Sequence, residues 1–115
     1  MRLIGTGKLL RVFIGENDHY KGKLLYEAII LHAREKGIAG ATVLRGIEGY
    51  GAHSHIHKTS FIDLSEDLPI VVEIVDTEEK IETLLPDIDA MIEESQCGAM
   101  VTMEKVDVRK YTGGK

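Results

Sequence analysis

An α+β sandwich, in which an antiparallel sheet carries two helices on one face, is predicted by three observations. Four segments read as strands and two as amphipathic helices, and their order along the chain is βαββαβ. The chain has 115 residues, enough for one domain, so 1–115 is read as a single unit. Its 43% hydrophobic and 29% charged residues are close to the composition of globular domains and far from that of disordered chains.

The elements follow in order. Lys8 to Ile14 (KLLRVFI) places Leu10, Val12 and Ile14 on one side and Leu9, Arg11 and Phe13 on the other, the period-two pattern of a strand. After the polar break Gly15 to Lys21, the span Lys23 to Lys36 carries Leu25, Ala28, Ile29 and His32 on one helical stripe, with Leu24, Ile30 and Leu31 broadening it and Gly37 as the stop. Ala41 to Glu48 (ATVLRGIE) is β-rich and short, a second strand. Gly49 to Ser60 has glycine and histidine but no apolar repeat, and reads as a long exposed loop. Pro69 then introduces Ile70 to Val75 (IVVEIV), where β-branched residues dominate and a third strand is expected.

Asp76-x-x-Glu79 resembles a capping box with Asp in place of Ser or Thr, and acidic residues near the first turn favour the helix dipole. Ile81, Leu84, Leu85, Ile88, Met91 and Ile92 follow at helical spacing, and Pro86 among them is expected to kink or split that helix. Ala99 to Val108 alternates again as a fourth strand, ahead of a basic, glycine-containing tail from Arg109 to Lys115. This is the split βαβ, or ferredoxin-like, order.

Strand parity makes one sheet face nearly all apolar, through Leu10, Val12 and Ile14. The other mixes Leu9, Phe13, Val71 and Val75 with Arg11 and Glu73. Aliphatic side chains gathered on one exposed face usually mark an interface, so a homo-oligomer with this face buried between subunits is expected. Arg45, inside the second strand, reads as an edge group or as the partner of an acid such as Glu73.

Charge and cysteine content narrow the function. Fourteen Lys plus Arg against nineteen Asp plus Glu leave a formal charge of −5, which disfavours nucleic acid as a partner. One cysteine, Cys97, cannot form an internal disulfide, and the cytoplasm is the expected compartment. Met1 to Leu10 is too short in apolar residues for a signal sequence, and no stretch approaches the roughly 20 apolar residues of a membrane span.

Gly40-Ala-Thr-Val-Leu-Arg-Gly-Ile-Glu-Gly-Tyr-Gly51 has four glycines at the start, inside and at the end of a strand. They fit a twisted strand leaving for a loop as well as a close approach to a ligand. Gly5-Thr-Gly-Lys8 lacks the strand, G-x-x-x-x-G-K-[ST] and helix of a P-loop, because Lys8 opens a strand. His53, His55 and His57 alternate, which in an extended chain sets the imidazoles about 7 Å apart on one side, too wide for one metal without bending. A polar loop accounts for them, and a metal site completed by other subunits is the alternative. Cys97 has no paired base, and Glu78, Glu79, Glu82, Glu93 and Glu94 sit on the solvent side of the second helix, so no catalytic constellation is visible.

The runs LLRVFIGENDHYKGKLLYEAI, GIAGATVLRGIEGYGAHSHIH and LSEDLPIVVEIVDTEEKIETLLP, in this order and spacing, resemble the small PII-like signalling protein family, relatives of the nitrogen-regulatory PII proteins. The resemblance spans Lys8 to Val108. It implies a ferredoxin-like homotrimer, not an enzyme, that binds an adenine nucleotide (ATP, ADP or AMP) as effector in clefts between subunits. A mobile T-loop between strands two and three would report that binding to a protein target, a membrane transporter being one candidate.

Residue by residue, Gly49-Tyr50-Gly51 is similar to the Gly-Phe-Gly that begins the PII T-loop and lines the nucleotide cleft. Glu73, Ile74 and Val75 resemble the strand-three residues beside the adenine. Arg109-Lys110-Tyr111-Thr112-Gly113 looks like the Arg-x-Arg-Thr-Gly of PII, whose arginines hold phosphates, with Tyr111 replacing the second arginine. Ser95-Gln-Cys-Gly98 is shorter than the PII phosphate loop, and His53 to Ser60 has no counterpart of the tyrosine that PII proteins uridylylate. Glycine at Gly49, Gly51 and Gly98 would let backbone N–H groups approach phosphate while Arg109 and Lys110 supply charge. The alternative resemblance is to the copper-tolerance relatives of PII, with His53, His55 and His57 as metal ligands. An RNA-binding module would need stacking aromatics on the central strands, and the third strand has none.

Overall fold

A computed structural model describes residues 4–51, 56–58 and 67–114, with 56–58 described by backbone alone. The order is β1 (Gly5–Gly15), β2 (His19–Tyr20), β3 (Lys23–Leu24), α1 (Leu25–Glu35), β4 (Gly40–Arg45), β5 (Glu48–Tyr50), β6 (Ile56–Lys58), β7 (Pro69–Asp76), α2 (Glu78–Ser95) and β8 (Met100–Val108). Strands β4, β7, β1 and β8 lie in that order in one antiparallel sheet. The four long strands and two helices are the predicted ferredoxin-like βαββαβ set.

Period two in β1 and β7 decides which face is core. Leu10, Val12 and Ile14 of β1 and Ile70, Val72 and Ile74 of β7 are buried, paired as Leu10 with Ile74, Val12 with Val72 and Ile14 with Ile70. Leu25, Ala28, Ile29 and Ala33 of α1 and Ile81, Leu84, Ile88 and Met91 of α2 close over them. Each large aliphatic side chain buried in this way contributes about 1.5–3 kcal/mol.

Several local expectations change. The polar break after β1 contains a two-residue hairpin, β2 with β3, because Lys21 (φ 50°) and Gly22 (φ 79°) both take the left-handed backbone that a tight hairpin turn requires. It moves the start of α1 from Lys23 to Leu25. The helix stops where expected: Gly37 has φ 76°, its N–H donates to Arg34 O, and Ile38 N–H donates to Ala33 O, a Schellman motif. The loop after the second strand also has order, since β5 pairs with β6 through Glu48 with Lys58, Gly49 with His57 and Tyr50 with Ile56. Beyond Arg45 the β4–β7 ladder closes, because Gly46 N–H donates to Pro69 O at 2.7 Å but Pro69 has no N–H to return the bond.

The cap of α2 lies one residue later than the acidic box suggested. Thr77 is the N-cap and its hydroxyl accepts from Lys80 N–H, while Asp76 ends β7. Pro86 does not split α2, which runs unbroken from Glu78 to Ser95. Arg45 pairs with Glu16 instead of Glu73, because the β4–β7 register sets Arg45 opposite Ile70 on the helix-covered face, whereas Glu73 lies opposite Thr42 on the uncovered face. Among the described residues no helix is long and apolar enough to cross a membrane.

Candidate functional site

The registers turn the uncovered face of the sheet into rows. Leu44, Val71, Phe13 and Met100 form one row across β4, β7, β1 and β8, Thr42, Glu73, Arg11 and Thr102 the next, and Gly40, Val75, Leu9 and Glu104 the third. Leu44 and Met100 are 48% and 59% exposed, and Val71, Phe13, Val75 and Leu9 on the central strands of this face are half-buried. In the middle, one arginine meets two carboxylates of the same chain. The Arg11 side chain donates from Nε to Glu73 Oε2 at 3.0 Å and from Nη1 to Glu104 Oε1 at 2.6 Å. The bond to Glu73 first, and that to Glu104 second, raise the guanidinium pKa further.

Along these rows the expected nucleotide residues divide between the two ends of the sheet. At one end, Gly46 and Gly49 pack on Pro69, where a Cβ would come within 2.8 Å and 3.3 Å of Pro69 Cγ respectively. Tyr50 there is 74% exposed, and among the described residues nothing lies within 4 Å of a Cβ built on Gly51. Gly98, two residues before β8, belongs to the same end, because Met100 pairs with Phe13 and Pro69 with Gly15. At the other end, Val108 pairs with Gly5 and leads directly into Arg109 and Lys110, both exposed. Gly15 and Gly5 are ten residues apart along β1, about 33 Å. A single chain therefore keeps Gly49, Tyr50, Gly51 and Gly98 apart from Arg109 and Lys110.

The remaining expected residues lie between. Glu73 is half-buried under Arg11 on the uncovered face, and Val75 is one row nearer the tail. The Ile74 side chain is wholly buried in the core. Tyr111 donates its hydroxyl to Ala39 O at 2.8 Å. Ala39 N–H in turn donates to Asp76 Oδ2 at 2.8 Å, and Asp76 Oδ1 accepts from Thr77 N–H at 2.6 Å. Asp76 is fully buried, the one buried charged residue among those described. The sequence pattern suggests a cap at Asp76; its position at a strand end, next to a Thr77 that could cap instead, was the available signal.

Other candidates are less supported by their surroundings. His53 and His55 lie outside the described residues, and His57 is described only by its backbone pairing with Gly49. No cluster of three or more metal-ligating side chains occurs among the described residues. Burial pushes the Cys97 thiol pKa up, away from the thiolate a nucleophile needs. His32 of α1 meets Asp87 of α2 at 2.7 Å, and the hydrogen bond holds the Asp87 carboxyl below the usual range against partial desolvation, with the charges of His32 and Lys36 adding to it. Two grooves open on the helical side. One of about 280 Å³ is bounded by Lys36, Ile38, Glu79, Lys80, Thr83 and Leu84, and one of about 540 Å³ runs between the helices beneath Tyr20 and Lys21. Neither includes an expected nucleotide residue.

Fold and sheet order define the class: a ferredoxin-like α+β protein whose solved structural neighbours include PII-like proteins. One is CPII from Thiomonas intermedia K12, a nitrogen regulatory PII-like protein bound to ADP, AMP and bicarbonate, with a TM-score of 0.68, 18% identity, and 91% of this chain and 90% of that one covered. Another is a putative PII-like signaling protein from Thermus thermophilus (TM-score 0.62, 18% identity, 95% and 94% covered). A phage SAM lyase in complex with S-methyl-5'-thioadenosine shares the fold at a TM-score of 0.53 and 16% identity, covering 94% of this chain and 88% of that one. At the level of sequence the chain belongs to the DUF190 family, described as Uncharacterized ACR, COG1993, whose model matches residues 7–108. A UPF0166 protein of Aquifex aeolicus is 41% identical over 101 residues, 88% of this chain and 91% of the relative.

Proposed function

We propose that the protein is a non-enzymatic PII-like regulator that binds an adenine nucleotide in clefts between copies of itself, the Gly49–Gly51 end of one copy meeting the Arg109–Tyr111 end of its neighbour. The observation that carries this reading is the division of the expected residues between the two sheet ends of one chain, about 33 Å apart. Packing of the uncovered faces of three copies would join unlike ends. The half-buried apolar rows suit such packing, and Arg11 holds both Glu73 and Glu104, which reduces the charge of the three groups to a single net negative.

In that cleft, the backbone at Gly51, with no described atom within 4 Å of an added Cβ, admits a close approach, while Gly49 packs on Pro69. Arg109 and Lys110 offer fixed positive charge to phosphate, and Glu73 and Val75 border the base. Gly49 to Ser60 is the T-loop-like part that would signal the bound state to a protein target. That CPII was solved with ADP and AMP supports an adenine compound as the effector class. Isothermal titration with ATP, ADP and AMP, combined with solution mass by light scattering, tests the reading. Binding of at least one nucleotide by a particle of three copies is expected. Stable single-copy particles, or heats equal to buffer for all three compounds, would overturn it.

A further inference from the structure

Tyr111 stands where the PII-like reading places a phosphate ligand, yet its hydroxyl is engaged inside its own chain. We propose that Tyr111 is a latch that positions the basic tail: it ties the chain beyond β8 to the Ala39 peptide at the start of β4, so that Arg109 and Lys110 are presented in place instead of sweeping through solvent. This deepens the proposed nucleotide site and rests on that reading.

The geometry explains why a tyrosine is needed. Strands β8 and β4 are the two edges of the sheet, three inter-strand spacings apart, or about 14 Å. The three residues from Arg109 to Tyr111 extend about 10 Å at most, and the phenol ring supplies the remaining reach to Ala39 O. A serine or threonine at this position would fall short.

The anchor is itself fixed. Ala39 has both peptide groups in use, its carbonyl accepting from Tyr111 and its N–H donating to Asp76. Asp76 is fully buried and also accepts from Thr77 N–H at the start of α2. The latch therefore closes on a point held by β7, α2 and the β4 edge together. Between its two fixed ends the cations stay available. The Arg109 side chain is 86% exposed, and its ion-pair partner among the described residues, Asp107, is 3.9 Å away. Cations held in position but only loosely paired lose less freedom when an anion arrives, which favours binding.

The full-length Tyr111→Phe variant keeps the ring and removes only the donor. Far-UV circular dichroism first establishes that it folds like the wild type. Limited trypsin cleavage after Arg109 and Lys110, without nucleotide, then reads the latch directly. Tail cleavage should speed up several-fold, about fivefold for the loss of one neutral hydrogen bond. Equal cleavage rates for wild type and variant would overturn the latch. Titration with ADP separates this from the site reading. A latched tail predicts ADP affinity about two- to fivefold weaker in Tyr111→Phe with an unchanged salt dependence, whereas Arg109→Ala flattens that dependence. Weaker ADP binding with unchanged tail cleavage would make the tyrosine a direct ligand and refute the proposal. If the wild type binds no adenine nucleotide, the site reading fails, and faster cleavage of the variant still establishes the latch.

Discussion

Removing the Asp76 carboxylate should cost more than removing any exposed acid of this chain, and its size follows from two hydrogen bonds. The side chain has 0% exposure and accepts from Ala39 N–H at 2.8 Å and Thr77 N–H at 2.6 Å. Lys8 lies opposite Asp76 in the β1–β7 register, but no ion pair within 4 Å joins them, and the two backbone donors are its hydrogen-bond partners among the described residues. In Asp76→Ala both donors lose their acceptor. A buried donor left unsatisfied costs about 1–3 kcal/mol, and the partial burial of these contacts puts each near the lower half of that range, about 3 kcal/mol for the pair. For 115 residues the unfolding entropy is about 0.24 kcal/mol/K, so the expected fall in Tm is about 12 °C. Asp76→Asn retains one acceptor oxygen while its amide faces the second N–H, and should fall between wild type and Ala. The assay is thermal unfolding followed by circular dichroism at one fixed protein concentration, since association would shift Tm. A Tm for Asp76→Ala within about 2 °C of wild type would refute the account of Asp76 as the pin joining β4, β7 and α2.

Three further outcomes are expected. Gly7→Ala sets a Cβ 2.8 Å from Asp76 O and 3.6 Å from Val108 Cγ2, against backbone that cannot step aside, and should lower stability by about 1–3 kcal/mol; Gly40→Ala, with nothing within 4 Å, should be near neutral, and urea unfolding of the two variants compares them. Asp87→Asn should lose stability at neutral pH and converge on wild type in acid: a carboxyl held low by its His32 hydrogen bond stabilises the fold above the unfolded carboxylate pKa of about 4, and the contribution disappears as pH falls through the folded value. Urea midpoints at pH 7 and pH 3 read this, and a gap that persists at pH 3 would contradict it. Leu10→Ala, at a site with 0% exposure between β7 and β8, should cost about 2.7–5 kcal/mol in the same assay, scaling with the cavity left behind.

The sequence made the strands and helices readable where burial is one-sided. Leu10, Val12 and Ile14 alternate because one face of β1 meets the helices, and Ile81, Leu84, Ile88 and Met91 repeat because one stripe of α2 meets the sheet. Features set by two or three residues were harder to read. The β2–β3 hairpin depends on Lys21 adopting a positive φ, which lysine does rarely and no apolar period reveals. The shift of the cap from Asp76 to Thr77 depends on whether the aspartate is drawn inward by Ala39 N–H, a contact 37 residues away in sequence. The choice of Glu16 over Glu73 by Arg45 is likewise tertiary, because the β4–β7 register puts Arg45 and Glu73 on opposite faces of the sheet. For the candidate site, sequence motifs supplied the residue types but not their placement. Only the register shows that Gly49 to Gly51 and Arg109 to Tyr111 fall at opposite ends.

That placement ties the two strongest signals of the sequence to each other. A half-apolar sheet face and a binding motif split along the chain look like separate facts, yet each supplies what the other lacks. A face with Leu44, Val71, Phe13 and Met100 in one row gains by leaving water, but apolar area alone would not fix the direction in which copies pack. The charged row beside it can. Arg11 is bonded to both Glu73 and Glu104 within the chain, so the three groups keep one net negative charge, and a packing that buried it without a cation would be costly. Under the proposed assembly, the rotation that satisfies this charge also determines which sheet ends meet. Binding chemistry and subunit geometry would then be specified by the same few rows of side chains, so an apolar-to-charged change in the Phe13 row should weaken nucleotide binding without touching a ligand residue.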